Sequence, residues 1–339
     1  MARDHDMRHD PGRISDVSFA MTRLRCAILD DYQNVALKLA DWSRLADRID
    51  VTVFDAPFTD ASEVIAALQD FDIVCAMRER TPFGADVLNG LPKLKLLLTS
   101  GIRNASFDLD TARTRNVTVC GTTSVGNPTA SLAIGLMLEL TRHIGFENAR
   151  LKAGERWQIT VGEDLEGKTL GIIGLGKLGR QVATIAKAMG MTVIAWSQNL
   201  TPTACEAAGV AYASKHDLLA RADIVSIHVI LSARTRGLIS RDDIARMKPT
   251  AYLVNTARGP IVDETALLDA LQRRAIAGAA LDVFGTEPLP LDHPLRKLDN
   301  VVLTPHLGYV TVENYRRYYG EMVEDIEAWL AGAPLRVIS

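Results

Sequence analysis

Short runs of branched apolar residues recur along the chain, separated by segments in which apolar residues return every three or four positions. Five such runs lie at 26–29, 51–54, 73–76, 96–99 and 117–120, with helical spacing between them at 62–68 and 107–113. A brief, wholly apolar run between amphipathic helices is the pattern of a strand buried on both faces, so this half predicts a parallel sheet covered by helices. Residues 121–129, GTTSVGNPT, read as a connection, and Pro128 with Thr129 suits a helix start. Helical periodicity then runs from 129 to about 153, a long helix that could join two domains. Further strand-like runs follow near 171, 193, 224, 252, 279 and 301, and residues 312–330 predict a final amphipathic helix. The pattern as a whole is α/β, with two doubly wound parallel sheets.

The stretch 169–197 is the most informative. An apolar run at 170–173 leads into GLGKLG, which places Gly174, Gly176 and Gly179 in the spacing G-x-G-x-x-G around Lys177 and Leu178. Leu178, Val182, Ile185, Ala186 and Met189 then share one helical face, Gly190 ends the helix, and 192–196 reads as the next strand. In such a unit the first glycine permits the tight turn and the second lets backbone N–H groups approach a pyrophosphate. The third allows helix and strand to pack closely. The motif therefore marks a candidate dinucleotide turn, because it sits between a strand and a helix as that chemistry requires.

Charge and composition narrow the partners. A net charge of −3 over 339 residues leaves no electrostatic footprint for nucleic acid or an anionic membrane, which points to small-molecule ligands. Cys26, Cys75, Cys120 and Cys205 lie far apart without a C-x-x-C pair and are expected as buried thiols in a reducing compartment. Residues 1–21 are charged and lack the apolar segment of a secretory signal. They predict a disordered extension, with Met21 as an alternative start and a cytoplasmic location. His5 and His9 have acidic neighbours, but no metal site is expected.

Chemistry gathers at strand ends. The run 252–255 leads into Thr256, Ala257, Arg258 and Gly259; the run 279–283 carries Asp282 and leads to Glu287; the run 301–304 leads to Pro305, His306, Leu307 and Gly308. In a parallel sheet these emerge on the edge that also bears the glycine turn, so an arginine, a carboxylate and a histidine converge there. In the first half, the loop TSGIRN at 99–104 also follows a strand. Gly101 there is expected to let backbone N–H groups face a substrate carboxylate.

With GLGKLG, ADIVSIHVILSARTRGLI (222–239), NTARG (255–259), ALDVFGTEPLP (280–290) and TPHLGY (304–309), the sequence resembles the D-2-hydroxyacid dehydrogenase family from about residue 24 to its end. The resemblance implies a Rossmann dinucleotide-binding domain (123–308) inserted into a flavodoxin-like substrate domain (22–122 and 309–339). It implies Arg258 as the anchor of a 2-oxo acid, His306 as general acid/base and Glu287 as its carboxylate partner. These roles suit the side chains: a guanidinium forks two N–H bonds onto a carboxylate, and an imidazole beside a carboxylate exchanges protons near neutral pH. Asp282 is matched to the residue that meets the nicotinamide amide, and His228 and Thr235 flank a loop over the cofactor. Further cofactor contacts are expected from Ser197, Gln198, Ile230, Thr256, Ala257 and Gly308. Substrate contacts are expected from Arg78, Ser100, Gly101 and Ile102 beside Arg258 and His306. His143, His216 and His293 are expected to be structural.

The chain also departs from that family. Ser197, followed by Gln198 and Asn199, stands where NAD-preferring relatives carry an aspartate, and none of the three is an arginine. Weak discrimination between NAD(H) and NADP(H) is the expectation. Ser131 replaces a common glutamate on the long helix, and Ile230 a common proline. The expected protein is an oxidoreductase of a small 2-hydroxy or 2-oxo acid, a homodimer through the cofactor domain and helix 129–153. A dedicated glyoxylate/hydroxypyruvate reductase using NADPH and a non-catalytic, dinucleotide-sensing corepressor are the alternatives.

Overall fold

The computed structural model describes residues 23–339, so the expectations about His5, His9 and Met21 lie outside the described residues. The chain divides into two compact units, one ending at Thr123 and completed by Tyr318–Ser339, the other Ser124–Arg317.

The first unit holds five strands: β1 (Leu24–Ile28), β2 (Ile49–Val53), β3 (Ile73–Ala76), β4 (Leu96–Thr99) and β5 (Thr118–Gly121). All neighbours are parallel, in the order β2-β1-β3-β4-β5, which is the flavodoxin-like order. Strands β3 and β4 are buried at every position, which is why they read as unbroken apolar runs. Val64, Leu68, Leu88 and Leu91 from flanking helices and loops pack with Val74 and Leu97 of the sheet. At its far edge β5 is covered by the chain's last residues: Val119 N donates to Ser339 O, Gly121 N to Arg336 O, and Ile338 N to Val119 O. This pairing closes an edge that would otherwise be open to association, and the sequence pattern gives no hint of it. All four cysteines are buried thiols; Cys26 and Cys75 approach to 3.9 Å between sulfurs on adjacent strands.

The second unit holds β6 (Thr169–Ile173), β7 (Thr192–Trp196), β8 (Ala211–Tyr212), β9 (Ile224–Ile227), β10 (Tyr252–Asn255), β11 (Gly278–Leu281) and β12 (Val301–Leu303). They form one parallel sheet in the order β12-β11-β10-β9-β6-β7-β8, the dinucleotide-fold order extended by one strand. Alternation along the strands feeds two cores. Ile173, Leu253 and Leu281 face Leu218, Leu267 and Leu271, while Ile172, Val254 and Ala280 face Met137, Val182 and Ala186. The two-residue β8 is exposed, so no apolar run announces it.

The long helix expected at 129–153 is two helices, Pro128–Arg142 and Ile144–Lys152. They break at His143, whose φ of 52° is left-handed. The Glu139 carboxylate accepts the Gly145 N–H at 2.8 and 2.9 Å, which satisfies a donor at the start of the second helix. The first helix buries Ala130, Ala133, Met137 and Leu140 against the sheet, whereas the second buries nothing. Helical periodicity persists through both, but only tertiary burial distinguishes them. The final helix, Val312–Leu330, is as expected, and the division between the units falls inside it.

Candidate functional site

At the end of β6, Gly174 turns with φ 103°, and a Cβ there would press within 2.8 Å of the His228 carbonyl at the end of β9. Gly176 caps the helix Lys177–Ala188, and a Cβ on it would meet nothing within 4 Å. At Gly179 a Cβ would overlap the Gly174 carbonyl oxygen, so helix and turn touch backbone to backbone. The first and third glycines thus make the turn and the close packing their spacing predicts, and the second leaves the space that its expected job requires. The turn lies between β6 and β9, where the strand order reverses, and open space in front of a helix N-terminus favours a phosphate. Thr256 at the end of β10 adds a buried hydroxyl oxygen without a hydrogen-bond partner, an unmet polar group such as a polar ligand would satisfy. These residues fit a dinucleotide.

Beyond the end of β7 a cavity of about 390 Å³ opens. Ser197, Gln198 and Asn199 line it from the turn after β7, and Ile230, Arg234 and Thr235 from the loop after β9. Thr235 staples that loop, its hydroxyl donating to Ile230 O at 2.6 Å and accepting from Ser232 N at 2.8 Å. His228 is partly buried beside the glycine turn, with Nε2 2.8 Å from Ser226 Oγ. Burial pushes its pKa down to about 4, so the ring is neutral at physiological pH.

The other strand ends assemble the polar cluster. Asn255, buried at the end of β10, accepts from Ala257 N and donates to Arg258 O, both at 3.0 Å, which clamps the turn carrying Arg258. Asp282 is fully buried. Its carboxylate accepts from Thr304 Oγ1 (2.6 Å), Leu307 N (2.7 Å) and Gly308 N (2.9 Å). Burial raises its pKa, against the pull of these donors and of the His306 charge. The carboxylate thereby fixes the turn on which His306 sits with φ 54°.

His306 Nδ1 lies 2.7 Å from Glu287 Oε2, and Glu287 Oε1 accepts from Phe284 N at 2.9 Å. Burial pushes Glu287 upward, but the bond to His306, the His306 charge, the Phe284 N–H and the Arg258 charge outweigh it and hold the carboxyl below its ordinary value. An ionised carboxylate only accepts, so Nδ1 carries the proton and Nε2 is the ring atom left for a reacting group. The Arg258 charge acting on Glu287 ties the three expected residues into one electrostatic unit.

In the first unit, the loop after β4 is less open than expected. Gly101 has φ 92°, but its N–H donates to Thr122 Oγ1 at 3.0 Å, and its side-chain direction is filled by the Arg78 guanidinium. Gly101 N–H is therefore engaged within the fold, which corrects the expectation that it faces an anion. Ser100 Oγ accepts from Arg78 N at 2.9 Å, Asn104 Nδ2 donates to Arg78 O and Thr99 Oγ1, and Ile102 is exposed. The clamps made by Asn255 and Asn104 and the approach of Arg234 to the turn after β7 are not predicted by spacing. Asn255 and Arg234 stand inside the quoted motifs, which is the one signal pointing to them.

Comparison with known proteins agrees with this geometry. Residues 134–308 match the model of the D-isomer specific 2-hydroxyacid dehydrogenase NAD binding domain. The chain is 38% identical over 291 residues to D-3-phosphoglycerate dehydrogenase of Mycobacterium leprae, covering 85% of this chain and 54% of that protein. The chain thus spans about half the length of the first curated relatives it matches. It is 32% identical over 313 residues to hydroxypyruvate reductase of Blautia hydrogenotrophica, covering 88% and 95%. Among solved structures, a putative D-3-phosphoglycerate dehydrogenase oxidoreductase from Ralstonia solanacearum superposes with a TM-score of 0.87 at 34% identity, covering 93% and 96%. The chain belongs to the D-isomer specific 2-hydroxyacid dehydrogenase family.

Proposed function

We propose that this protein is a nicotinamide-dependent oxidoreductase of a small 2-hydroxy or 2-oxo acid. The observation that carries the reading is the His306–Glu287 pair at 2.7 Å, on the same sheet whose strand order reverses at an open glycine turn. When bound there, the nicotinamide exchanges a hydride with C2 of the acid. Arg258 grips the carboxylate of the acid and polarises the C2 carbonyl. In reduction, His306 Nε2 gives its proton to the carbonyl oxygen; in oxidation it takes that proton back. Glu287 remains ionised throughout, holding Nδ1–H and stabilising the imidazolium. Asp282 and Asn255 act on this chemistry through the backbone turns they hold.

The second unit is the dinucleotide-binding part. Contacts are assigned to Gly174, Gly176, Lys177, Leu178, Gly179, Ser197, Gln198, Ile230, Thr235, Thr256, Ala257 and Gly308. With no carboxylate among residues 197–199, the site admits NADP(H) as well as NAD(H). On the first unit, Arg78 and Ile102 are the candidates for substrate contact. We also read the chain as a homodimer. Ile144, Phe146, Leu151, Trp157, Ile159 and Val161 are all exposed along the second helix of the broken pair and the segment after it, an apolar patch suited to a second copy. The four buried thiols support a reducing compartment.

The test is spectrophotometric. Glyoxylate, hydroxypyruvate, pyruvate and longer 2-oxo acids, each with NADH and with NADPH, should include at least one that oxidises the cofactor. No turnover across the panel, with cofactor still bound, would reject the enzyme in favour of a dinucleotide-sensing binding protein.

A further inference from the structure

The cavity at the end of β7 carries one cation that the turn itself lacks. Resting on the reading that the pyrophosphate of a dinucleotide sits on the glycine turn, the adenosine ribose falls at the end of the second strand of the unit, here Ser197–Gln198–Asn199. These side chains are a hydroxyl and two amides. None can chelate the ribose 2′- and 3′-hydroxyls as a carboxylate does, and none repels a phosphate.

Arg234 arrives from the loop after β9 and lines the same cavity. Gln198 Nε2 donates to the Arg234 carbonyl oxygen at 3.2 Å, which ties the two loops together. The Arg234 guanidinium reaches Asn199 Oδ1 at 3.4 Å, a long contact to a neutral group. Among the described residues no carboxylate forms an ion pair with Arg234, so its charge is not already neutralised by the fold. Thr235, its neighbour, holds the loop in place through Ile230 and Ser232.

We propose that Arg234, together with Ser197, Gln198 and Asn199, is a binding site for the 2′-phosphate of NADP(H), and that the protein prefers the phosphorylated cofactor. A guanidinium forks two N–H bonds onto a phosphate, and amide and hydroxyl donors satisfy its remaining oxygens. The 2′-hydroxyl of NAD(H) gains nothing from the same charge. Preference is therefore built from a residue 35 positions downstream of Asn199, not from the strand end where a family aspartate is sought.

Direct binding tests this without turnover. NADPH and NADH are titrated by their fluorescence against the wild-type protein, Arg234→Ala and Arg234→Gln, at low and at high salt. The wild type should bind NADPH about tenfold more tightly than NADH, equivalent to about 1.4 kcal/mol. Both variants should lower that ratio by about tenfold, and salt should weaken NADPH more than NADH in the wild type alone. Equal affinities in the wild type, tighter NADH, or a ratio unchanged in both variants would overturn the proposal while leaving the dinucleotide reading intact. Binding of neither cofactor would overturn both.

Discussion

In each of the two sheets an interior strand is followed by a glycine with positive φ, yet the two turns do opposite things. After β6, Gly174 packs on the His228 carbonyl, and Gly176 leaves open space before a helix N-terminus. After β4, Gly101 likewise has a positive φ. Its vacant side-chain position is filled by the protein's own Arg78, and its N–H is spent on Thr122. A strand-end glycine therefore marks a place where backbone comes close to something. Whether that something is a ligand or another side chain depends on what the neighbouring strands deliver. The carboxylates differ in the same sense. Glu287 is held ionised against an imidazole, whereas Asp325 of the first unit is buried with Arg336 and raised to about 7 by that burial.

The largest expected break in this contrast comes from the open edge. His306→Ala should lower kcat by about a thousandfold, within the range of general acid/base catalysis, while NAD(P)H affinity survives. A loss under tenfold, measured on the preferred acid, would remove the imidazole from the chemistry.

A pH series on stability separates the two units next. His228 takes up a proton only near pH 4 when folded but near 6.5 when unfolded. Across that window the unfolded state binds more protons, so His228 makes stability rise with pH, by up to ~3 kcal/mol. Asp325, with its folded pKa raised to about 7, binds more protons when folded and slopes the other way over the same range. Denaturant unfolding of His228→Asn should show the rising component lost. An unchanged slope would mean that the histidine is not buried as described.

The glycines give a finer comparison. Gly176→Ala faces open space at an extended φ, so thermal stability should hardly change while cofactor affinity falls by about tenfold, or about 1.4 kcal/mol. Gly101→Ala and Gly179→Ala meet side chain and backbone respectively, and each should cost about 1–3 kcal/mol of stability. If Gly176→Ala destabilises as much as Gly179→Ala, the opening before the helix is structural and not a binding space.

The smallest effect concerns Glu287. Its folded pKa is depressed, so its contribution to stability is complete above the unfolded carboxylate value and is lost as pH falls through the folded value. Glu287→Gln removes that acid-side loss. It also removes the carboxylate 2.7 Å from His306 Nδ1, so the pH profile of kcat/KM for reduction should change. An unmoved pH profile of kcat/KM would take Glu287 out of proton transfer.

The sequence by itself marked most of the strands and the strand ends that carry Arg258, Glu287 and His306. Ile73–Ala76, Leu96–Thr99 and Tyr252–Asn255 were legible to the residue, because a strand buried on both faces must be apolar along its length. The glycine turn was legible because its spacing follows from backbone approach within a single strand–turn–helix unit. Tertiary structure alone decided the rest. It broke the helix at His143, where periodicity continues but burial stops. It engaged Gly101 N–H with Thr122, covered β5 with the last residues of the chain, and brought Arg234 to the turn after β7. Each of these depends on a partner distant in the chain or on a single backbone angle, and neither leaves a repeating mark in the order of residues.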